Sequence, residues 1–207
     1  ASDVYKRQPP HNPSYVMIGT CLIWVGWFGF NAGSQLAANG SAGMTLLVTH
    51  LSAAAASLSW AGYEYFKHGK ASLVGLATGT IAGLATITPA SGSVSPMEAI
   101  LIGAFVGIVC QEMCSVVKNQ FNIDDSLDVF AVHGVGGMIG VLSIAFFGYA
   151  GWYEQFFGIA VVGIYTIVIT AVIILVAKSI VPIRVSGDEE ESGLDLSEHG
   201  EKAYSPE

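Results

Sequence analysis

Residues 126–142 read SLDVFAVHGVGGMIGVL, an apolar run with very few charged groups. His133 lies near the middle of this run, and Asp128 lies near its beginning. An ionisable side chain at membrane depth is costly unless it is paired or lines a polar path. His133 is therefore a candidate functional residue, provided that the run is a membrane helix.

The composition favours a membrane protein. Of the 207 residues, 52% are hydrophobic and only 12% are charged, and the mean hydropathy is +0.57. A soluble domain carries about a quarter charged residues, and a bilayer crossing needs about 20 helical residues. We predict an all-α membrane protein with six transmembrane helices, of which the third is the shortest. The apolar blocks are residues 15–38, 42–66, 72–89, 97–117, 127–148 and 156–180.

The positive residues indicate how these helices cross the bilayer. Seven of the eight precede the first span or follow the second, fourth or sixth, and the eighth, Lys178, lies at the end of the sixth. They are Lys6, Arg7, Lys67, Lys70, Lys118, Lys178, Arg184 and Lys202. Because lysine and arginine favour the cytoplasmic side, we predict that both ends of this chain are cytoplasmic.

The end of the chain has a different composition. Eight of the sixteen acidic residues follow residue 185, against one lysine. An acidic segment without an apolar period is typical of a disordered or docking tail. We therefore assign residues 9–185 to a membrane domain and residues 186–207 to a cytoplasmic acidic tail. Nucleic-acid binding, which needs a basic surface, is excluded.

Glycines spaced four apart predict close helix packing. Small residues at this spacing let membrane helices approach each other, so we expect a compact bundle. The pairs and triplets are Gly29 and Gly33; Gly75, Gly79 and Gly83; Gly103 and Gly107; Gly136 and Gly140.

Four residues form one stripe on the first predicted helix. Ile23, Trp27, Phe30 and Ser34 are separated by four, three and four positions, which places them on one face. An aromatic face that ends in a hydroxyl can hold a small cation. Interfacial or core packing produces the same pattern, and the spacing alone favours packing.

His133 needs a polar partner if it is buried. Asp128 is five positions away, about 140° round an α-helix, so it is poorly placed to bond His133. We expect the partner on another helix. Asp128 is predicted to cap the helix or to bond backbone at a break, and Asp124, Asp125 and Ser126 are further cap candidates.

Several segments together resemble the signatures of the ammonium transporter (Amt/Mep/Rh) superfamily, its Amt branch in particular. The resemblance runs from about residue 10 to residue 204. The segments are GWFGFNAGS at 26–34, TPA at 88–90, DDSLDVFAVHGVGG at 124–137, and the tail motifs GLD at 193–195, HGE at 199–201 and AY at 203–204.

This resemblance implies roles for the stripe on the first helix. Phe30 would be one of two stacked phenylalanines that gate the pore from outside. Ser34 would supply the hydroxyl of an outer ammonium-recruitment site, with Trp27 beside the gate. Ile23 and Val129 would line the conduction path.

The resemblance also implies a mechanism. Ammonium is recruited outside and deprotonated near the gate, and neutral ammonia passes a pair of histidines, of which His133 would be the second. Asp128 would be a structural carboxylate near it. No metal or cofactor is implied. Residues with an implied regulatory role in the tail are Gly193, Asp195, His199, Gly200 and Tyr204.

The family fold has eleven spans, arranged as two five-helix inverted repeats plus a last helix. This chain matches only the second repeat and the last helix. The first histidine and the first gate phenylalanine belong to the other half, so we predict that the chain is a fragment without a complete pore. Residues 1–8 do not continue the family pattern and are predicted to be a non-native junction.

Two other functions remain open. The first is an ammonium sensor built on the same scaffold. The second is a six-span intramembrane serine protease that uses Ser34 and His133. The protease is disfavoured because Gln35, and not glycine, follows Ser34.

The resemblance also implies partners. The expected solutes are ammonium and ammonia, with methylammonium as an analogue. The expected assembly is a homotrimer in the lipid bilayer of the plasma or inner membrane. A PII-type signal protein is a candidate regulator in prokaryotes, although no residue here indicates a PII contact.

Overall fold

The structure, a computed structural model, describes residues 10–201. Lys6, Arg7, Lys202, Tyr204 and the predicted junction at residues 1–8 lie outside the described residues. No β-strand occurs between residues 10 and 201, which confirms the all-α prediction. The helices are α1 (Pro13–Gly33), α2 (Gly40–His68), α3 (Leu73–Ile87), α4 (Pro96–Ser115), α5 (Gly136–Phe146), α6 (Trp152–Ile180), α7 (Gly187–Ser192) and α8 (Leu194–His199).

Two π-helical turns flank the loop between α4 and α5. Val116–Gln120 extends α4, and Phe130–Val135 leads directly into α5. π-helical turns are rare in proteins, and those that occur often lie at functional sites. The histidine that the sequence singles out lies on the second of them.

Four of the six predicted spans are long and apolar enough to cross a bilayer. They are Pro13–Gly33, Gly40–His68, Pro96–Gln120 and Trp152–Ile180. Leu73–Ile87 and Phe130–Phe146 are shorter apolar helices, and the 15 residues of Leu73–Ile87 make it the shortest, as predicted. The count of six spans stays a prediction, because these two helices fall short of the roughly 20 residues that a full crossing needs.

The chain divides into two compact units, one through Ile159 and one from Ala160. In the first unit α2 is the central helix and contacts α1, α3 and α4. Its core consists of two clusters. The first cluster consists of Val48, Ile87, Ala90, Val94, Ala99 and Ile102. The second cluster consists of Ala56, Trp60, Ala82, Val106, Cys110 and Val132.

Glycines bring α3 and α4 onto the backbone of α2. A Cβ atom added at Gly83 would lie 2.6 Å from the carbonyl oxygen of Ser52, and one added at Gly103 would overlap the same oxygen. A Cβ at Gly107 would lie 2.5 Å from the Ala56 carbonyl oxygen. The predicted small-residue faces of α3 and α4 are therefore confirmed as packing surfaces.

The other two glycine faces differ from each other. Gly136 and Gly140 of α5 pack against Thr86 of α3 so closely that a Cβ at either would clash with that residue. A Cβ at Gly29 or Gly33 of α1 would meet no atom within 4 Å. The prediction of a packing face at Gly29 and Gly33 is wrong within the described chain, because both glycines are exposed.

A polar cluster joins α2 to α4 near the end of α2. The Tyr63 hydroxyl donates to Glu112 Oε1 at 2.6 Å, and Lys67 Nζ lies 2.5 Å from the same oxygen. Gly69 then ends α2 in the left-handed conformation with φ +73°, which glycine adopts without steric cost. The cluster fixes the register of the two helices at this end.

We predict that Gly103→Ala destabilises the protein by about 1–3 kcal/mol, since the added methyl group would be forced against the α2 backbone. The matched control is Gly62→Ala in α2, where an added Cβ meets nothing within 4 Å. That change should leave stability unchanged or raise it by less than about 1 kcal/mol. Thermal unfolding of the detergent-solubilised proteins measures both, and equal stability of the two variants would contradict the packing described above.

Candidate functional site

The stripe on α1 follows the predicted face, and the structure joins three of its four members. The rings of Trp27 and Phe30 have centroids 5.8 Å apart and are tilted by 56°. The Ser34 hydroxyl donates to the Phe30 carbonyl oxygen at 2.8 Å. Phe30 is 62% exposed and Ile23 is 48% exposed, so much of the stripe lies on an open surface of the described chain.

Trp27 is tied to the end of α3. Its Nε1–H donates to Thr88 Oγ1 at 2.7 Å, and the Thr88 hydroxyl donates to the Leu84 carbonyl oxygen at 2.8 Å. In the sequence, Thr88 stands out only as part of the TPA motif at 88–90. Its contact with Trp27 was missed because the two residues are 61 positions apart, and neither the period nor the spacing indicates the pairing.

His133 lies on the π-helical turn Phe130–Val135. Its neighbours Ala131 and Val132 are buried, and Val132 belongs to the second core cluster. The His133 side chain is exposed and has no hydrogen-bond or ion-pair partner among residues 10–201. One side of this turn is therefore anchored in the core, and the imidazole lies on the other side.

The cap of this helical segment is Asp125. Its carboxylate accepts hydrogen bonds from the backbone N–H groups of Val129 at 2.8 Å and Phe130 at 2.9 Å. The prediction that Asp128 caps the helix is therefore corrected: Asp125 lies far enough upstream for its two oxygens to reach both donors. Val129 itself is 51% exposed.

Asp128 forms an ion pair instead. Its Oδ1 lies 2.7 Å from Nζ of Lys118, and both side chains are largely buried. Asp128 adopts a left-handed φ of +57°, which is uncommon for a residue other than glycine and is best tolerated by Asp and Asn. The pair links the π-helical end of α4 to the start of the segment that carries His133. In the sequence, Lys118 indicates only the topology, because it follows the fourth apolar block.

The contacts among residues 10–201 separate the predicted site residues of α1 from those near His133. Trp27, Phe30 and Ser34 are connected through α1, and Val129 lies beside the capped π-helical turn of His133. Within residues 10–201, no hydrogen bond or ring contact joins the α1 stripe to Val129 or His133.

The tail forms two short helices, whereas the sequence predicted a disordered or docking segment. Ser186 caps α7 through a capping box with Glu189. The Ser186 hydroxyl and backbone N–H donate to this carboxylate and hold the pKa of Glu189 below its ordinary value. Arg184 pairs with Glu190 at 2.9 Å. Local caps and this ion pair are the physical reason why an acidic segment is helical here.

The predicted tail residues surround α8. Gly193 precedes this helix with φ +92°, and Gly200 follows it with φ +69°. Asp195 lies in its first turn and His199 in its last turn, and both are exposed. The carboxylate of Asp195 in the first turn interacts favourably with the helix dipole.

The chain is similar in sequence to known ammonium transporters. The model of the Ammonium Transporter Family matches residues 3–204. The ammonium transporter of Aquifex aeolicus is 41% identical over 209 residues, which cover 94% of this chain and 49% of that protein. The chain thus spans about half the length of the curated relatives it matches.

Solved structures show the same fold. A structure named Sensor Amt Protein matches with a TM-score of 0.84 and 32% identity, over 91% of this chain and 49% of that chain. Mep2 of Saccharomyces cerevisiae matches with a TM-score of 0.74 and 35% identity, over 83% of this chain and 44% of that chain. The family match, the curated relatives and the apolar helices agree, and we conclude that this chain is an integral membrane protein that belongs to the ammonium transporter family.

Proposed function

We propose that this chain is the C-terminal half of a transporter that moves ammonium nitrogen across a membrane as neutral ammonia. The observation that carries the proposal is the family match, which includes both the α1 stripe and the segment of His133. The relatives are named ammonium transporters. Their names describe transport, so we propose a channel or transporter and not an enzyme.

The chemistry of the α1 stripe fits recruitment of a cation. Phe30 and Trp27 offer aromatic faces, and Ser34 offers a hydroxyl at the end of the helix that we propose to be outermost. A small cation is attracted by such faces and by hydroxyl oxygen. Ammonium would gather here before it loses a proton.

The remainder of the path favours an uncharged solute. Carrying an isolated ammonium ion into apolar surroundings is far more costly than carrying a neutral molecule. Ammonia can accept a hydrogen bond from one nitrogen of an imidazole and donate to the other. We therefore propose that ammonia passes His133, with Ile23 and Val129 along the path, and that Asp128 stabilises the segment through Lys118.

The rest of the pore would come from outside this chain. The curated relatives are about twice as long as the match, so we propose that a preceding half supplies the first histidine of the pair and the first gate phenylalanine. The exposed side of the His133 turn is consistent with such a partner. We further propose a homotrimer in the plasma or inner membrane, with both ends of this chain in the cytoplasm and the tail as the surface for a PII-type regulator.

A sensor is the second candidate function. The solved structure named Sensor Amt Protein has a TM-score of 0.84 with this chain. Expression of the complete gene in a yeast strain without its own ammonium transporters separates the two functions. Growth on limiting ammonium supports transport, whereas absence of both growth and methylammonium uptake by a well-expressed protein supports the sensor.

We predict that His133→Ala, made in the complete protein, lowers methylammonium uptake roughly tenfold or more, because the solute loses a hydrogen-bond partner in an apolar path. His50→Ala is the matched control, since His50 lies within α2 beside Trp24 and Phe28 and outside the proposed path. Uptake is measured with labelled methylammonium and normalised to protein amount. Unchanged uptake and unchanged ion selectivity in His133→Ala would exclude the role proposed for His133.

Ser34→Ala should raise the apparent KM for methylammonium about threefold to tenfold with little effect on the maximal rate, because recruitment loses one hydrogen bond. Ser41→Ala provides the comparison, since Ser41 is also exposed near the start of α2. Concentration-dependent uptake measures both constants. A fall in maximal rate without a change in KM would argue against recruitment by Ser34.

A further inference from the structure

Thr88 lies at a fixed point of the bundle. It directly follows α3, and its neighbours Ile87 and Ala90 are completely buried in the first core cluster. The Ala90 N–H donates to the Ile87 carbonyl oxygen at 2.9 Å, which closes a turn around Thr88. A side chain at this position therefore has little freedom to move with α1.

The hydrogen bonds of Thr88 have a defined direction. A threonine hydroxyl has one hydrogen to donate and two lone pairs to accept. Thr88 donates its hydrogen to the Leu84 carbonyl oxygen at 2.8 Å. Its lone pairs remain available, and one accepts the Nε1–H of Trp27 at 2.7 Å. The indole, which can only donate, is thus held by an oxygen that is itself anchored to the α3 backbone.

The hydrogen bond from Trp27 to Thr88 fixes the orientation of the indole ring, which is otherwise weakly determined. The χ2 angle of tryptophan has broad, roughly two-fold preferences, and Trp27 is only partly buried. The anchored indole lies 5.8 Å from the Phe30 ring, centroid to centroid. Phe30 as a whole is 62% exposed, and among residues 10–201 the aromatic ring in contact with it is that of Trp27. The position of the indole therefore limits the position of the Phe30 ring.

We propose that Thr88 is a positioning residue, which holds the Trp27 indole against Phe30 and so sets the aperture at the outer end of the α1 stripe. This inference rests on the proposed transport function and adds to it a residue that does not touch the solute. Loss of the Thr88 oxygen would free the indole, and Phe30 would lose the neighbour that restricts it. Discrimination between methylammonium and ammonium is the property that depends on such an aperture.

The test uses the complete protein with Thr88→Val, which keeps the shape of the side chain and removes the hydroxyl. We expect the apparent KM for methylammonium to rise about threefold to tenfold, the range that corresponds to the net worth of one hydrogen bond, and the methylammonium-to-ammonium preference to change. Thr88→Ser keeps the oxygen and should restore values close to those of the parent protein.

Thr78→Val is the matched control. The Thr78 hydroxyl donates to the Val74 carbonyl oxygen at 2.8 Å, as Thr88 does to Leu84, but no indole among residues 10–201 donates to it. If loss of the hydroxyl acted only through helix stability, both valine variants would lower protein amount and maximal rate with no change in KM. In a Trp27→Phe background, Thr88→Val should cause no further change in KM, since the bond is already absent.

Three results would overturn the proposal: an unchanged KM and preference in Thr88→Val, an equal KM change in Thr78→Val, or independent effects of Thr88→Val and Trp27→Phe. Failure of the parent protein to take up any ammonium or methylammonium would overturn the proposed function instead. The positioning role is then decided by an experimental structure of purified Thr88→Val. An indole displaced from Phe30 supports it, and an unmoved indole refutes it.

Discussion

Contact between the α2 backbone and the glycines of two neighbouring helices determines how closely the first unit packs. The Ser52 carbonyl oxygen faces Gly83 of α3 and Gly103 of α4, and the Ser52 hydroxyl donates to the Gly83 carbonyl oxygen at 3.0 Å. In a bilayer the lipid tails are as apolar as leucine, so helices associate through close packing and hydrogen bonds and not through the hydrophobic effect. Close backbone approach at Ser52 supplies both interactions at one place.

The proposed functional residues depend on this contact indirectly. Because α3 and α4 lie against α2, they form the pocket that receives Val132, which packs with Ala56 and Cys110. Two interactions stabilise the start of the π-helical turn that carries His133. The Asp125 carboxylate accepts a hydrogen bond from the Val129 backbone N–H, and Lys118 forms an ion pair with Asp128. The end of α3 is equally fixed and holds Trp27 through Thr88. Two faces of one rigid core thus orient the two groups of candidate residues.

Much of the helical architecture could be predicted from the sequence, since long apolar blocks and glycine spacing are local signals. The stripe of Trp27, Phe30 and Ser34 also follows from helical period alone. The bonds that orient these residues could not be predicted, because they join positions distant in the chain, as Trp27 and Thr88 show. Hydropathy and spacing also do not reveal that Asp125 bonds the backbone N–H groups of Val129 and Phe130, or that Asp128 adopts a left-handed φ of +57°.

Val132 and His133 are adjacent in sequence but serve opposite sides of the same turn, one inside the core and one on its surface. We expect a change of side-chain volume at the buried Cys110, which packs in one cluster with Val132, to displace the His133 imidazole. Protein interiors transmit such strain because they are packed almost as densely as organic crystals. Under the transport function proposed above, substitutions in the core behind this turn would alter conduction without contacting the solute.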